Sequence, residues 1–229
     1  MATTAILFDK DGTLFEFGAT WEAWANAFLL RATGQDRDRA TMIGHHIGFD
    51  LAQGQFRADS IVIAGTPAEV AEALAPHFPE MSGGGLLEML NEEAESAPQA
   101  EAVPLVPYLD HLRGLGLKLG VATNDAEAPA LAHLGAAGVV GHFDFIAGFD
   151  SGHGAKPGPG QLLAFARTVG VPPQQVAMVG DSTHDLIAGR SAGMMTVGVL
   201  TGMAGAADLQ PYADVVLPDI GHLPGWLSR

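Results

Sequence analysis

Ala5-Ile6-Leu7-Phe8-Asp9-Lys10-Asp11-Gly12-Thr13 is the stretch that decides the fold of this chain. Four apolar residues in a row, cut off by a charged tip, read as a strand buried on both faces of a sheet, because a half-exposed strand would alternate. Gly12 permits the sharp turn that carries the backbone away. Five later runs have the same form: residues 117–122 before Thr123-Asn124-Asp125, 143–149 before Asp150, 176–179 before Gly180-Asp181-Ser182, 196–200 before Thr201-Gly202, and 215–217 before Pro218. Helix-length segments at 108–115, 127–134, 161–169 and 185–192 lie between them. Such repetition predicts an α/β fold, a doubly wound, Rossmann-like parallel sheet with right-handed crossovers. Ligands in these sheets bind outside the carboxyl ends of the strands.

One segment breaks the alternation. Trp21, Trp24, Ala25, Phe28 and Leu29 recur at helical spacing behind Thr20, which reads as an N-cap. Thr66-Pro67-Ala68-Glu69 combines an N-cap, a first-turn proline and a capping-box glutamate. Leu86, Leu87 and Leu90 mark a further helix, and Gly83-Gly84-Gly85 before it reads as a flexible turn. Ile61–Ile63 is a doubtful strand, and Ser96-Ala97-Pro98-Gln99-Ala100 has the composition of a linker. The expected organisation is a Rossmann-like core at 1–17 and 97–229 with an inserted all-helical cap, or lid, at 18–96. Hinges are expected near 15–18 and 96–103.

Acidic residues outnumber basic ones by 15, which argues against a basic nucleic-acid-binding surface. Charged residues are 16% of the 229 and apolar residues 48%, the balance of a compact enzyme-like protein. With no cysteine there is no disulfide framework, thiolate metal site or cysteine nucleophile. No apolar run approaches the roughly 20 residues a bilayer span needs, and Met1 to Phe8 lacks the cationic start of a signal peptide. The expectation is a soluble, cytoplasmic protein without membrane or nucleic-acid partners. Its oligomeric state is left open.

The acids at the strand ends carry the chemistry. Asp9 and Asp11, two residues apart, repel each other unless a cation lies between them or one is protonated. Asp181 and Asp185 are spaced to face one point if Asp185 opens a helix. Any one of the four also reads as a turn former or N-cap; all four together read as a site for a hard cation, magnesium before calcium. The lysines are Lys10, Lys118 and Lys156, and Lys156 sits in the rigid stretch Gly154-Ala155-Lys156-Pro157-Gly158-Pro159, suited to an anion.

Asp9-Lys10-Asp11-Gly12-Thr13, Thr123-Asn124, Lys156-Pro157 and Gly180-Asp181-Ser182-Thr183-His184-Asp185 fall in order at matching strand ends. The set resembles the haloacid-dehalogenase-like hydrolase superfamily, and within it the phosphoglycolate-phosphatase-like phosphatases. The resemblance implies that Asp9 attacks phosphorus to form an aspartyl-phosphate, while Asp11 protonates the leaving oxygen and later activates water. It implies Mg2+ held by Asp9, the Asp11 carbonyl, Asp181 and Asp185, with phosphoryl oxygens bound by Thr123, the Asn124 N–H and Lys156. The implied partner is a small phosphorylated metabolite. Two other functions fit the pattern: a sugar-phosphate mutase on the same fold, and a phospho-acceptor signalling domain, which would lack the cap and the Asp9/Asp11 pair.

Lys10 replaces a residue commonly apolar in that motif, and Leu14-Phe15-Glu16-Phe17 departs from the pattern that follows it. Lys10 reads either as a cation for a second anionic group on the substrate or, by strand alternation, as turned away from Asp9 and Asp11. His45, His46 and the spacer His184 read as structural or solvent-facing, and Trp21, Trp24 and Phe28 as cap core. Glu92, Glu93 and Glu95 read as a solvated helix face. Arg57 is the cap residue to watch for a substrate carboxylate, with an exposed arginine as its plainer reading.

Overall fold

A computed structural model describes residues 3–57 and 59–227. Met1, Ala2, Ala58, Ser228 and Arg229 lie outside it, and with them the start of the N-terminal stretch and the two outer ends of the expected core range. The elements run β1 (Ala5–Phe8), α1 (Phe17–Ala32), α2 (Arg37–His46), β2 (Phe49–Asp50), β3 (Gln55–Phe56), α3 (Pro67–Leu74), α4 (Gly83–Glu95) and α5 (Leu105–Gly114). They continue as β4 (Lys118–Ala122), α6 (Glu127–Ala136), β5 (Phe145–Ala147), α7 (Gly160–Val169), β6 (Val176–Gly180), α8 (Thr183–Ala192), β7 (Met195–Val199), α9 (Ala206–Leu209), β8 (Val215–Leu217) and α10 (Leu223–Leu227). Among the described residues no helix is long and apolar enough to cross a membrane.

The sheet is the one the apolar runs require. Six parallel strands lie in the order β5-β4-β1-β6-β7-β8. The chain winds outward on one side of β1 and then returns to its other side, so β1 sits at the point where the winding reverses, the usual place for a ligand crevice. Ile6, Leu7, Phe8, Leu119, Val121, Met178 and Val179 are wholly buried. One face packs with α5, α10 and Leu134 of α6, the other with α7 and α8. Gly120 of β4 lets α7 come close, since a Cβ there would lie 2.7 Å from the Phe165 ring.

Residues 17–97 supply a separate apolar cluster built on Trp24, Phe28, Leu29, Ile43, Leu74 and Leu90. Its two connections to the sheet pair with each other: Glu16 N–H donates to the Ala100 carbonyl at 2.8 Å and Ala102 N–H to the Leu14 carbonyl at 2.9 Å.

Several details differ from the sequence reading. Residues 18–96 are not all-helical, because β2 and β3 form a hairpin; two-residue strands leave no run long enough to show periodicity. Ile61–Ile63 is a 3-10 turn capped by Ser60, and the strand expected at 143–149 is only Phe145–Ala147. Helix α1 starts at Phe17, so Thr20 lies inside it and donates to Gln99 Oε1 at 3.2 Å. The triple glycine is the first turn of α4, capped by Ser82. The capping box at Thr66 and Glu69 forms as its sequence demands.

Candidate active site

Sheet register gathers the acids before any side chain is considered. Phe8 is level with Val121 of β4 and Val179 of β6, so Asp9 leaves β1 level with Ala122 and Gly180, one residue before Thr123 and Asp181. Asp9 N–H continues the ladder to the Val179 carbonyl at 2.8 Å. Gly12 then turns with φ +78, and a Cβ on it would run into the Asp181 carboxylate.

Lys156 ties three strand ends together. Its Nζ donates to Asp9 Oδ1 at 2.6 Å, Asp185 Oδ1 at 2.6 Å and the Ala122 carbonyl at 2.8 Å. Asn124 fixes the loop that carries it: Oδ1 accepts from Lys156 N–H at 2.8 Å, and Nδ2 donates to the Lys156 carbonyl at 2.9 Å. The same Nδ2 reaches the Ala64 carbonyl at 2.9 Å, joining sheet and inserted segment. Asp185 both caps and binds. At the third position of α8 its Oδ2 accepts from Ser182 N–H at 3.1 Å and Ser182 Oγ at 2.7 Å, leaving Oδ1 for Lys156. Thr123 is buried, and its Oγ1 accepts from Asp125 N–H at 3.0 Å, so its own proton is free for a ligand.

Burial dominates the electrostatics. It raises Asp9 to about 7 against the pull of Lys156, with Asp185 and Asp11 adding to the rise. Burial also holds Asp181 well above the carboxylate range, helped by the charges of Asp9 and Asp185. Lys156 would be lowered by burial alone, but Asp185 and Asp9 lift it above the usual lysine range. Fully ionised, Asp9, Asp181, Asp185 and Lys156 carry a net charge of two negatives. Their carboxylates offer one oxygen each, all within 4.8 Å of one another. Asp181 Oδ1 accepts a long 3.4 Å contact from the Thr13 hydroxyl, and Gly12 and Gly202 leave the carboxylate the room a Cβ would take. An all-oxygen, doubly negative cluster fits a hard divalent cation.

Lys10 departs from expectation. It does not point away from the site: it is 0% exposed, and its Nζ lies 2.7 Å from Asp11 Oδ1, 2.9 Å from His133 Nδ1 and 3.3 Å from Asp125 Oδ2. The pleat ends at Phe8, so alternation no longer governs Lys10, and its long stem brings the ammonium back beside Asp11. Burial works against its charge, but Asp11 and Asp125 hold it above the ordinary lysine range. His133 Nε2 is 2.6 Å from the Ala94 carbonyl at the end of α4. A carbonyl only accepts, so Nε2 carries the proton and Nδ1 accepts from Lys10. Burial and Lys10 push His133 down to about 4. Asp125 and His133 were not singled out from the sequence; only the charge of Asp125 in Thr123-Asn124-Asp125 hinted at a role.

Asp9, Asp11, Thr123, Asn124, Lys156, Asp181 and Asp185 all line one cavity whose empty space, mouth included, is about 640 Å³. Its other side belongs to the inserted segment. Trp21 and Trp24 serve both there and in the apolar cluster, whereas Phe28 belongs to the cluster alone. His184, read as a spacer, lines the cavity too. Arg57 does not; it is exposed and paired with Asp59 at 3.0 Å. His46 stacks on His77 with centroids 4.0 Å apart, and Glu92 and Glu93 pair with Arg31 on the surface.

A family model described as haloacid dehalogenase-like hydrolase matches residues 3–193. A phosphoglycolate phosphatase of Chromobacterium violaceum is 38% identical over 222 residues, covering 96% of this chain and 94% of its own. One from Rhodospirillum rubrum is 30% identical over 232 residues, covering 98% and 90%. The crystal structure of a HAD phosphatase from Thermococcus onnurineus superposes with TM-score 0.67 at 25% identity, covering 99% of this chain and 98% of that one.

Proposed function

Since the chain belongs to the haloacid dehalogenase-like hydrolases, we propose that it is a Mg2+-dependent phosphatase of a small phosphate monoester, working through an aspartyl-phosphate on Asp9. The observation that carries the reading is Lys156 bridging Asp9 and Asp185 at 2.6 Å each, beside Asp181, at the point where the sheet reverses its winding. That arrangement supports a dianion meeting a carboxylate nucleophile, which bare water would oppose. Residues 18–96 act as the cap over a core at 1–17 and 97–229.

Asp9, Asp181 and Asp185, with the Asp11 carbonyl, would hold the ion. When bound, it supplies charge neutralisation for the phosphoryl oxygens and keeps the acids ionised. Asp9 forms the new P–O bond as the bond to the alcohol oxygen breaks. Asp11 gives that oxygen its proton, and later takes one from the water that cleaves the acyl phosphate. The Thr123 hydroxyl proton and Asn124 N–H hold phosphoryl oxygens, and Lys156 offsets their charge. The Asn124 side chain, spent on the Lys156 backbone, keeps that ammonium in place.

The test is release of inorganic phosphate from p-nitrophenyl phosphate and a panel of phosphorylated metabolites, phosphoglycolate among them, with and without Mg2+. Turnover that needs the ion is expected. Isomerised sugar phosphate without free phosphate would mean a mutase, and full activity in Asp9→Asn would remove the mechanism.

A further inference from the structure

The cavity wall contributed by residues 17–97 is apolar, with Phe17, Trp21, Trp24, Val62, Val70 and Leu90 facing the acids. The charges lining the cavity are five carboxylates and the ammonium of Lys156, with His184 the other basic side chain. Lys156 is already shared between Asp9 and Asp185. Of the inserted segment's arginines, those at 31, 39 and 57 are engaged elsewhere, with Glu92 and Glu93, with Glu80, and with Asp59, and Arg37 is exposed and does not line the cavity. A substrate bearing a second anion besides its phosphate would therefore bury it without a dedicated counter-charge among the described residues, which is unfavourable.

Among the described residues, two buried polar atoms of that wall have no hydrogen-bond partner: Trp21 Nε1 and Asn91 Oδ1. Trp21 is only 8% exposed. Its neighbour Trp24 shows the ordinary outcome, with Nε1 donating to the Leu90 carbonyl at 3.0 Å. An orphaned buried donor or acceptor is destabilising, because it has given up water without gaining a partner. Here one of each kind belongs to a residue lining the same cavity, and the Trp21 ring is braced edge-on against Trp24 at a centroid distance of 5.2 Å.

We infer that this wall is a subsite for an uncharged, largely apolar group carrying one hydrogen-bond acceptor for Trp21 Nε1–H and one donor for Asn91 Oδ1. The substrate class is the monophosphate ester of a neutral aromatic or similarly apolar alcohol, ahead of carboxylate-bearing esters such as phosphoglycolate. The inference rests on the phosphatase reading for its chemistry, and the subsite can be judged without that chemistry.

The test uses the full chain with Mg2+ and three esters: benzyl phosphate, 4-carbamoylbenzyl phosphate and phosphoglycolate. Benzyl phosphate should exceed phosphoglycolate at least tenfold in kcat/KM, and the carbamoyl ester should exceed benzyl phosphate. Trp21→Phe, which keeps a ring and deletes the N–H, should shrink the carbamoyl-to-benzyl ratio about tenfold, and Asn91→Leu should act the same way. A preference for phosphoglycolate, or a ratio unmoved by both variants, overturns the subsite. If no ester is hydrolysed, p-nitrophenyl phosphate included, the phosphatase reading fails instead. Calorimetry then decides the subsite: benzylphosphonate binding at least tenfold more tightly than phosphonoacetate supports it, and the reverse order overturns it.

Discussion

Lys10 Nζ lies 2.7 Å from Asp11 Oδ1, so a buried ammonium and a partly buried carboxylate from adjacent residues meet in an ion pair at a strand end. The ammonium is also held by His133 and Asp125, which fixes the Asp11 carboxylate from behind. Asp11 is the proposed acid for the leaving oxygen, and its placement matters most when that oxygen leaves poorly. Lys10→Met should lower kcat/KM about a hundredfold for an alkyl phosphate and less than tenfold for p-nitrophenyl phosphate, whose phenolate leaves unaided. An equal loss on both, with folding verified by circular dichroism, would reduce Lys10 to a structural part.

Asp9 is strained electrostatically in the free protein, with burial and two neighbouring acids raising it to about 7. Asp9→Asn removes that charge, keeps an acceptor for Lys156 and deletes the nucleophile. Turnover should fall by roughly 10⁴-fold or more, while thermal unfolding in chelator occurs no lower than in the parent protein. A clearly lower melting temperature would mean that the Asp9–Lys156 pair stabilises the fold more than burial of the charge costs.

Part of this was legible in the chain because it is written in contiguous residues. Apolar runs of three to seven residues mark the strands, and a parallel register then brings Asp9 within one residue of the levels of Thr123 and Asp181. Lys156 stood out by the scarcity of lysine. Contacts between distant segments were not legible: Asn124 gripping the Lys156 backbone, or His133 linking Lys10 to Ala94 across the cap boundary. The Trp21 and Trp24 stripe has the same helical spacing whether it faces a core or a cavity, so its second role needed coordinates. The β2–β3 hairpin was too short to leave a pattern.

The three-carboxylate cluster predicts a strict ion requirement. Chelation should cut phosphate release at least a hundredfold, with Mg2+ restoring it. Asp181→Asn removes a charge from a carboxylate held by a long 3.4 Å contact to Thr13 rather than by Lys156, so it should raise the Mg2+ concentration for half-maximal rate at least tenfold. Full turnover in protein shown to be metal-free by elemental analysis would contradict the cluster's assignment.

His133 gives a pH signature separate from catalysis. Burial and the Lys10 ammonium hold it at about 4, against 6.5 for an ordinary histidine. Between those values the unfolded chain takes up a proton that the folded one refuses. The stability tied to neutral His133 is therefore present above about pH 6.5 and is lost as pH falls toward 4. His133→Gln supplies an acceptor for Lys10 and a donor for Ala94 without titrating. From pH 7 to pH 5 the urea-unfolding free energy of the parent protein should drop about 2 kcal/mol relative to the variant. The carboxylates shared by both proteins cancel in that difference. A gap that stays constant with pH would mean that His133 accepts a proton in place, and that the Lys10–His133–Ala94 link gives way first.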